Sequence, residues 1–196
     1  MASPLKIVCV GCGHIVEQWL NYAVARPDLE VAGLVDLKRE NAERWRDRLN
    51  LGRARVGEDL ETMLNVVRPD VVFDCTVPSA HAGVVVTALN RGCHVFGEKP
   101  MADTAADCEA MLAKSRATGL KLGVNHSDLF DPALMRALDA ANNGDIGDVL
   151  SVDIVRNSEY PPYAGGPLPG MVTQGSYPFR DLGVHGLYTI EAFIGA

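Results

Sequence analysis

The chain has 196 residues, room for one large domain or for one domain and part of a second. Hydrophobic residues make up 47 % and charged residues 22 %, which excludes a disordered chain, a collagen-like repeat and a disulfide-stapled mini-protein. Its 18 Lys and Arg against 25 Asp and Glu leave a net charge of −7, so phosphate backbones and anionic lipid are repelled, and neither nucleic acid nor a membrane surface is expected as a partner.

Residues 5–10 form a strand of near-continuous hydrophobicity, as expected where both faces of a sheet are covered. The apolar run is far shorter than the ~20 residues that cross a bilayer. It ends in Gly-Cys-Gly, with His14 and Glu17 beyond, so it reads as a first strand and not as a secretory signal, and the expected location is the cytoplasm. Residues 17–26 follow as a helix with Trp19, Leu20, Ala23 and Val24 on one side, then a strand over 30–35 with Asp36 at its tip. A charged helix over 39–49, a short strand over 54–56, a helix over 60–67 and a strand over 71–75 come next. The series closes with a helix over 79–91 ended by Gly92, a strand over 93–96, a helix over 104–118 stopped by Gly119, and a strand over 121–124. Strands alternating with helices predict a doubly wound, mostly parallel sheet, because parallel strands need crossover connections.

The pattern changes near residue 125, where a domain boundary is expected, giving a first domain over 1–125 and a second over 126–196. Residues 132–142 read as a helix. Residues 149–156 read as a strand with one wet face, since Leu150, Val152 and Ile154 alternate with Ser151 and Asp153. Residues 160–175 hold four prolines and four glycines and read as a long loop. Helical spacing returns over 176–194, with Phe179, Leu182, Ile190 and Phe193 on one stripe. The second domain is therefore read as the start of an α+β unit.

Five cysteines, mostly inside apolar runs, read as reduced core thiols. Cys9 and Cys12 form a C-x-x-C, but no second Cys or His pair of similar spacing accompanies it, so redox and metal use are the weaker readings.

Four motifs carry chemistry. The turn Gly11-Cys12-Gly13-His14-Ile15-Val16 follows a strand and opens a helix. Gly11 permits a tight turn, Gly13 lets a pyrophosphate approach the backbone, and the helix start offers N–H groups and partial positive charge. Val16 stands where Gly or Ala would allow close helix–strand packing. Asp36 is placed to accept from both ribose hydroxyls of NAD and to repel the 2′-phosphate of NADP, although Lys38 and Arg39 beside it leave NADP open. In Pro78-Ser79-Ala80-His81, Ser79 is a candidate helix cap. His81 lies near the carboxyl edge of the sheet, with a solvent-facing histidine slightly favoured on spacing alone. Glu98-Lys99-Pro100 puts a cation at a strand's carboxyl end, where it is either a surface residue or a group that polarises a substrate oxygen. In Asp181-Leu182-Gly183-Val184-His185 the acidic residue and the imidazole are i, i+4 neighbours, suited to moving a proton as a hydride leaves. A solvated intrahelical pair is the bland alternative, and a two-ligand metal site is weaker still.

In this order the motifs resemble the glucose–fructose oxidoreductase / inositol dehydrogenase family (Gfo/Idh/MocA). Glu98-Lys99-Pro100 and Asp181-x-Gly183-x-His185 are its specific parts. The resemblance implies a Rossmann domain followed by a largely antiparallel sheet domain that holds the substrate and makes a homo-oligomer contact. It implies NAD(P)-dependent oxidation or reduction of a sugar or polyol carbon. Gly11, Cys12, Gly13, His14, Ile15, Asp36, Thr76, Pro78, His81, Glu98, Lys99 and Asn125 are the implied cofactor contacts. Lys99 would lie between nicotinamide and substrate, Asp181 would bind substrate hydroxyls, and His185 would be the acid/base. Family members continue past position 196, so this chain is expected to be a fragment or to rely on a partner, with the incomplete second sheet and the stripe of the last helix exposed. The rival function is a dinucleotide-binding sensor or subunit without turnover.

Overall fold

The computed structural model describes residues 3–156 and 179–195. The chain divides into two compact units, Met1–Asn125 and His126–Ala196.

The first unit is built from β1 (Leu5–Val10), α1 (Val16–Val24), β2 (Leu29–Val35), α2 (Arg39–Arg48), β3 (Arg55–Gly57), α3 (Leu60–Val67), β4 (Val71–Asp74), α4 (Pro78–Asn90), β5 (His94–Gly97), α5 (Ala105–Thr118) and β6 (Leu122–Val124). The strands form one sheet in the order β3-β2-β1-β4-β5-β6, and every pairing is parallel. The alternation of side chains across a strand explains the near-continuous apolar β1. Ile7 and Cys9 enter a core with Trp19 and Leu20 of α1, Ala42 and Trp45 of α2, and Phe73. Val8 and Val10 enter a second core with Met63 and Leu64 of α3, Val85 and Leu89 of α4, and Met111 of α5. Two helices therefore cover one face and three the other.

The chain leaves β3 at one edge and re-enters at β4, on the far side of β1. The carboxyl ends of β1 and β4 flank this reversal, the place where open α/β sheets form a ligand crevice. Helix starts follow local chemistry. Asp59 caps α3 through Thr62 N–H at 2.8 Å, and Thr104 caps α5 through Asp107 N–H at 3.1 Å. Ser79 is not a cap: α4 begins one residue earlier than its sequence reading, with Pro78 in its first turn and Val77 at the cap position. Proline suits that place because its missing N–H would have no helical partner.

In the second unit a 3₁₀ turn (Ser127–Phe130) leads into α6 (Pro132–Asn142), capped by Asp131, whose carboxylate accepts from Ala133 and Leu134 N–H at 2.8 and 3.1 Å. A π-helical turn (Phe179–Gly183) runs into α7 (Val184–Ile194). The helix expected over 176–194 is thus a wider turn followed by a helix, with its first three residues outside the described set. The strand expected over 149–156 is not formed. Val152 and Ile154 are half-buried and Ser151 and Asp153 exposed, but Leu150, expected on the inner face, is exposed too, so the alternation holds only over 151–154, and no described segment pairs with this one. A strand exists only as part of a ladder, and the periodicity encodes facing, not a partner. The loop read over 160–175 lies outside the described residues. No helix among the described residues is long and apolar enough to cross a membrane.

Candidate functional site

Gly11 has φ +84°, and a Cβ there would stand 2.6 Å from the carbonyl oxygen of Cys75 and 2.7 Å from Thr76 N. Its own N–H donates to Val35 O at 2.8 Å. The turn after β1 is therefore wedged against the end of β4 and stitched to the end of β2. Two residues on, Gly13 is exposed and has nothing within 4 Å of where a Cβ would sit. His14 is exposed beside it, and Ile15, at the cap position of α1, supplies no side-chain cap to the helix start. An approachable backbone and uncapped N–H groups fit a pyrophosphate. Val16 is fully buried, packing at the position where a smaller residue was expected.

Asp36 sits directly beside this turn. Oδ2 accepts from Cys12 N–H at 2.8 Å, and Oδ1 accepts from Lys38 N–H at 2.9 Å and from Asn41 Nδ2 at 3.1 Å. These donors orient the carboxylate and occupy three of its roughly four lone-pair sites, which leaves one on Oδ2. Trp45 Nε1 donates to Cys12 O at 3.2 Å, so the turn is also held from α2. A dinucleotide's pyrophosphate and adenosine ribose therefore fit the residues present.

Cys12 is completely buried, and burial, with Asp36 nearby, pushes its thiol up to about 12. Burial drives Cys9 and Cys75 up as well. All five thiols are unpaired by disulfides, and these three are core packing groups, not nucleophiles.

The second cluster forms at the carboxyl ends of β4 and β5. Glu98 is only 7 % exposed, yet its carboxylate is well supplied. Oε1 accepts from Trp19 Nε1 at 2.7 Å and from Asn125 Nδ2 at 3.1 Å, and Oε2 accepts from Lys99 N–H at 3.2 Å. Trp19 in turn packs edge-on to Phe73 and tilted to Phe96, with centroids 5.0 and 4.9 Å away. Glu98 thus links α1, β5 and β6 and fixes the backbone from which the half-buried Lys99 projects; the Lys99–Pro100 peptide is cis.

His81 does not face water. It is 2 % exposed, with Nε2 3.1 Å from Thr76 O and Nδ1 3.0 Å from Pro100 O and 3.3 Å from Met101 O. The ring ties the loop after β4 to the loop after β5. Spacing favoured exposure because His81 lies in the first turn of α4, but that turn is covered by the Lys99-Pro100-Met101 segment. Asp74, also buried, accepts at Oδ1 from the Thr76 N–H and hydroxyl at 3.0 and 2.6 Å, while Oδ2 has no hydrogen-bond partner among the described residues; burial raises its pKa.

In the second unit His185 opens α7, and Asp181 is half-buried on the π turn before it. Residues that the sequence did not single out surround the ring. Tyr188 Oη lies 2.8 Å from His185 Nδ1, Asp128 Oδ1 lies 3.5 Å from the same atom, and Arg156 pairs with Asp128 Oδ2. Tyr188 was findable as the i+3 neighbour of His185 on one helix face. Asp128 and Arg156 carried no such signal, because their approach is set by the 3₁₀ turn and by the segment before residue 157. Among the described residues no group of three or more His, Cys, Asp or Glu is arranged to hold a metal ion.

This combination of parallel sheet, glycine turn and strand-end carboxylate is that of a dinucleotide-binding fold, and comparison with known proteins agrees. Residues 5–126 match the oxidoreductase family with the NAD-binding Rossmann fold (Gfo/Idh/MocA), and the chain belongs to that family. It is 29 % identical over 187 residues to D-glucoside 3-dehydrogenase of Escherichia coli (strain K12), covering 94 % of this chain and 52 % of that protein. Among solved structures, apo scyllo-inositol dehydrogenase from Lactobacillus casei shares the fold at a TM-score of 0.80 and 24 % identity, over 98 % of this chain and 56 % of that one. A 3-ketoreductase from Actinomadura kijaniata, solved in complex with NADP and TDP-benzene, has a TM-score of 0.65 and 27 % identity over 72 % of this chain and 43 % of that one. The chain spans about half the length of the curated relatives it matches.

Proposed function

We propose that this chain belongs to an NAD(P)-dependent oxidoreductase acting on a hydroxyl or carbonyl carbon of a sugar, polyol or related carbohydrate. The observation that carries the reading is the oriented Asp36 carboxylate beside the Gly11–Gly13 turn, a pairing that serves a ribose and a pyrophosphate together. Relatives named for glucoside and dideoxyglucose chemistry support the carbohydrate class.

Gly13, His14 and Ile15 would meet the pyrophosphate on the turn that Gly11 and Cys12 shape beneath it, and Asp36 would hold the adenosine ribose. Thr76, Pro78, His81, Glu98, Lys99 and Asn125 would border the nicotinamide. The bound cofactor supplies hydride transfer. In the direction of oxidation, His185 takes the hydroxyl proton, and in reduction it returns one to the carbonyl oxygen. The Lys99 ammonium stabilises the developing alkoxide, and Asp181 accepts hydrogen bonds from neighbouring substrate hydroxyls. Unpaired, buried thiols favour a reducing, cytoplasmic setting. NAD is the preferred cofactor in this reading, because a carboxylate at position 36 repels a 2′-phosphate.

The test is Asp36→Ser. Losing a charged acceptor worth about 1.5–3 kcal/mol raises the NADP-to-NAD affinity ratio roughly 10- to 100-fold. Calorimetric titration of both dinucleotides measures it. An unchanged ratio removes Asp36 from the ribose site, and no binding of either dinucleotide to the wild type removes the reading itself.

A further inference from the structure

Both nitrogens of the buried His81 ring face main-chain carbonyl oxygens. Nε2 is 3.1 Å from Thr76 O, and Nδ1 is 3.0 Å from Pro100 O and 3.3 Å from Met101 O. A carbonyl oxygen only accepts, so each nitrogen has to donate for its contact to be a hydrogen bond. A neutral imidazole has a single N–H. Its other nitrogen would press a lone pair against a carbonyl oxygen, on a ring that is 2 % exposed. Turning the ring over puts C–H groups at both positions and loses both bonds. The state that satisfies every partner is the imidazolium, with a proton on each nitrogen. A counter-charge is at hand. Asp74 is fully buried, and its Oδ1 accepts from the N–H and hydroxyl of Thr76, so Thr76 bridges the carboxylate and the ring. Burial raises the Asp74 carboxyl, and the nearby His81 charge draws it back down. Glu98 is a second buried carboxylate close enough to Asp74 to act on it. Two buried carboxylates beside a neutral ring leave more negative charge out of water than one cation in the cluster would.

We propose that His81 is a buried imidazolium balanced by the Asp74 carboxylate, and that this cation is a positioning residue for Lys99, holding the segment after β5 through Pro100 O and Met101 O. Its bearing on the reaction rests on the reading of Lys99 as the group that stabilises the developing alkoxide. Lys99 N–H donates to Glu98 Oε2 at 3.2 Å, and His81 holds the two carbonyls that follow. The backbone that carries the ammonium is thus fixed before and after the residue. Bonds from a charged donor are shorter and stronger than those from a neutral N–H, which suits a clamp. His81 is the only charged or titratable residue of α4. The helix packs against β4, β5, α3 and α5. Around its first turn these elements bring Asp74 and Cys75 at the end of β4, Glu98 and Lys99 after β5, and Asp103, Asp107 and Cys108 at the start of α5. Glu61 of α3 pairs instead with Arg91, past the other end of α4.

Long-range ¹⁵N–¹H correlation spectra of the full chain read the charge state, with the His81 ring assigned through its own backbone so that no variant is needed. At about pH 7.5 an unperturbed histidine is mostly neutral. The expected wild-type pattern there is a proton on each His81 nitrogen, both exchanging slowly with water. Asp74→Asn keeps the shape and an acceptor for Thr76 but removes the counter-charge. In that variant the ring is expected to lose one proton at the same pH, and amide exchange over residues 99–103 to speed up about 10- to 100-fold, the worth of a hydrogen bond to a charged group. A merely structural Asp74 would leave the His81 signals unmoved. A wild-type ring with one protonated nitrogen overturns the proposal, and so does an Asp74→Asn ring that keeps both protons. If Asp74→Asn fails to fold, the wild-type spectrum decides, since a singly protonated ring leaves no cation to balance. Turnover is read separately: Lys99→Met with undiminished kcat would dismiss the alkoxide reading of Lys99, while the charge pair would still stand or fall on the spectra.

Discussion

Replacing His185 by Asn lowers kcat by about 10²–10⁴-fold, the usual worth of a positioned general acid–base group, while the affinity for NAD is unchanged. The separation follows from the division of labour. The groups assigned to the pyrophosphate and ribose lie within residues 11–36, and the imidazole belongs to the other compact unit. Asn keeps a polar side chain of similar reach and cannot take up a proton at neutral pH. Steady-state kinetics beside a dinucleotide titration makes the measurement. Equal losses of kcat and of NAD affinity would mean that His185 is holding the fold or the cofactor and not moving a proton.

Gly11→Ala is expected to destabilise the first unit by about 3 kcal/mol or more. Two costs combine: a positive φ disfavoured for any residue with a Cβ, and a contact of 2.6 Å with backbone that has little room to give. At roughly 2–4 °C per kcal/mol for a chain of this size, the melting temperature falls by about 6–12 °C. Relief of the clash would push the turn away from Cys75 and Thr76, so NAD affinity falls in the part of the population that stays folded. Gly13→Ala, with open space at the same atom, should leave the melting temperature nearly unmoved and act on the dinucleotide alone. Thermal unfolding of the two variants gives the contrast, and similar melting temperatures would contradict it.

Much of the first unit could be read directly from the residues because its signals are local. Apolar runs of four to six residues, closed by Gly92, Gly119 or the Arg68-Pro69 turn, fix where strands and helices begin and end to within about two residues. Asp36 could be read because a fixed topology carries the tip of β2 to the turn after β1. The contacts that finish the site were beyond the sequence because they join distant segments. Trp19 and Glu98 are 79 residues apart, and the indole N–H that supports the carboxylate looked like one more apolar position on α1. The burial of His81 was hidden for the same reason: a first-turn histidine is exposed unless another loop covers it, and the covering loop is 19 residues away.

The second unit was less legible. The alternation expected over 149–156 holds only in part: Val152 and Ile154 are half-buried, and Ile154 approaches Gly186 of α7, while Leu150 is exposed. Alternation states which side chains face a core and leaves the pairing to whatever neighbour is present. The Asp181–His185 spacing was read as one helix face, and the structure puts His185 near the start of α7 with Asp181 on the π turn before it. The π turn, with its wider winding, and the arrival of Asp128 at Nδ1 depend on packing between segments that no local pattern records.

Hydride transfer between a carbohydrate carbon and a nicotinamide ring is the reaction proposed for the protein to which this chain belongs. The direct measurement is isotope transfer: incubate the protein with NAD and a panel of sugars and polyols deuterated at their carbinol carbons, then weigh the recovered dinucleotide. The expected result is one deuterium on the nicotinamide ring with at least one substrate, and none with His185→Asn on the same timescale. Saturable NAD binding with no label transferred from any of them would contradict it and leave a dinucleotide-holding module in its place.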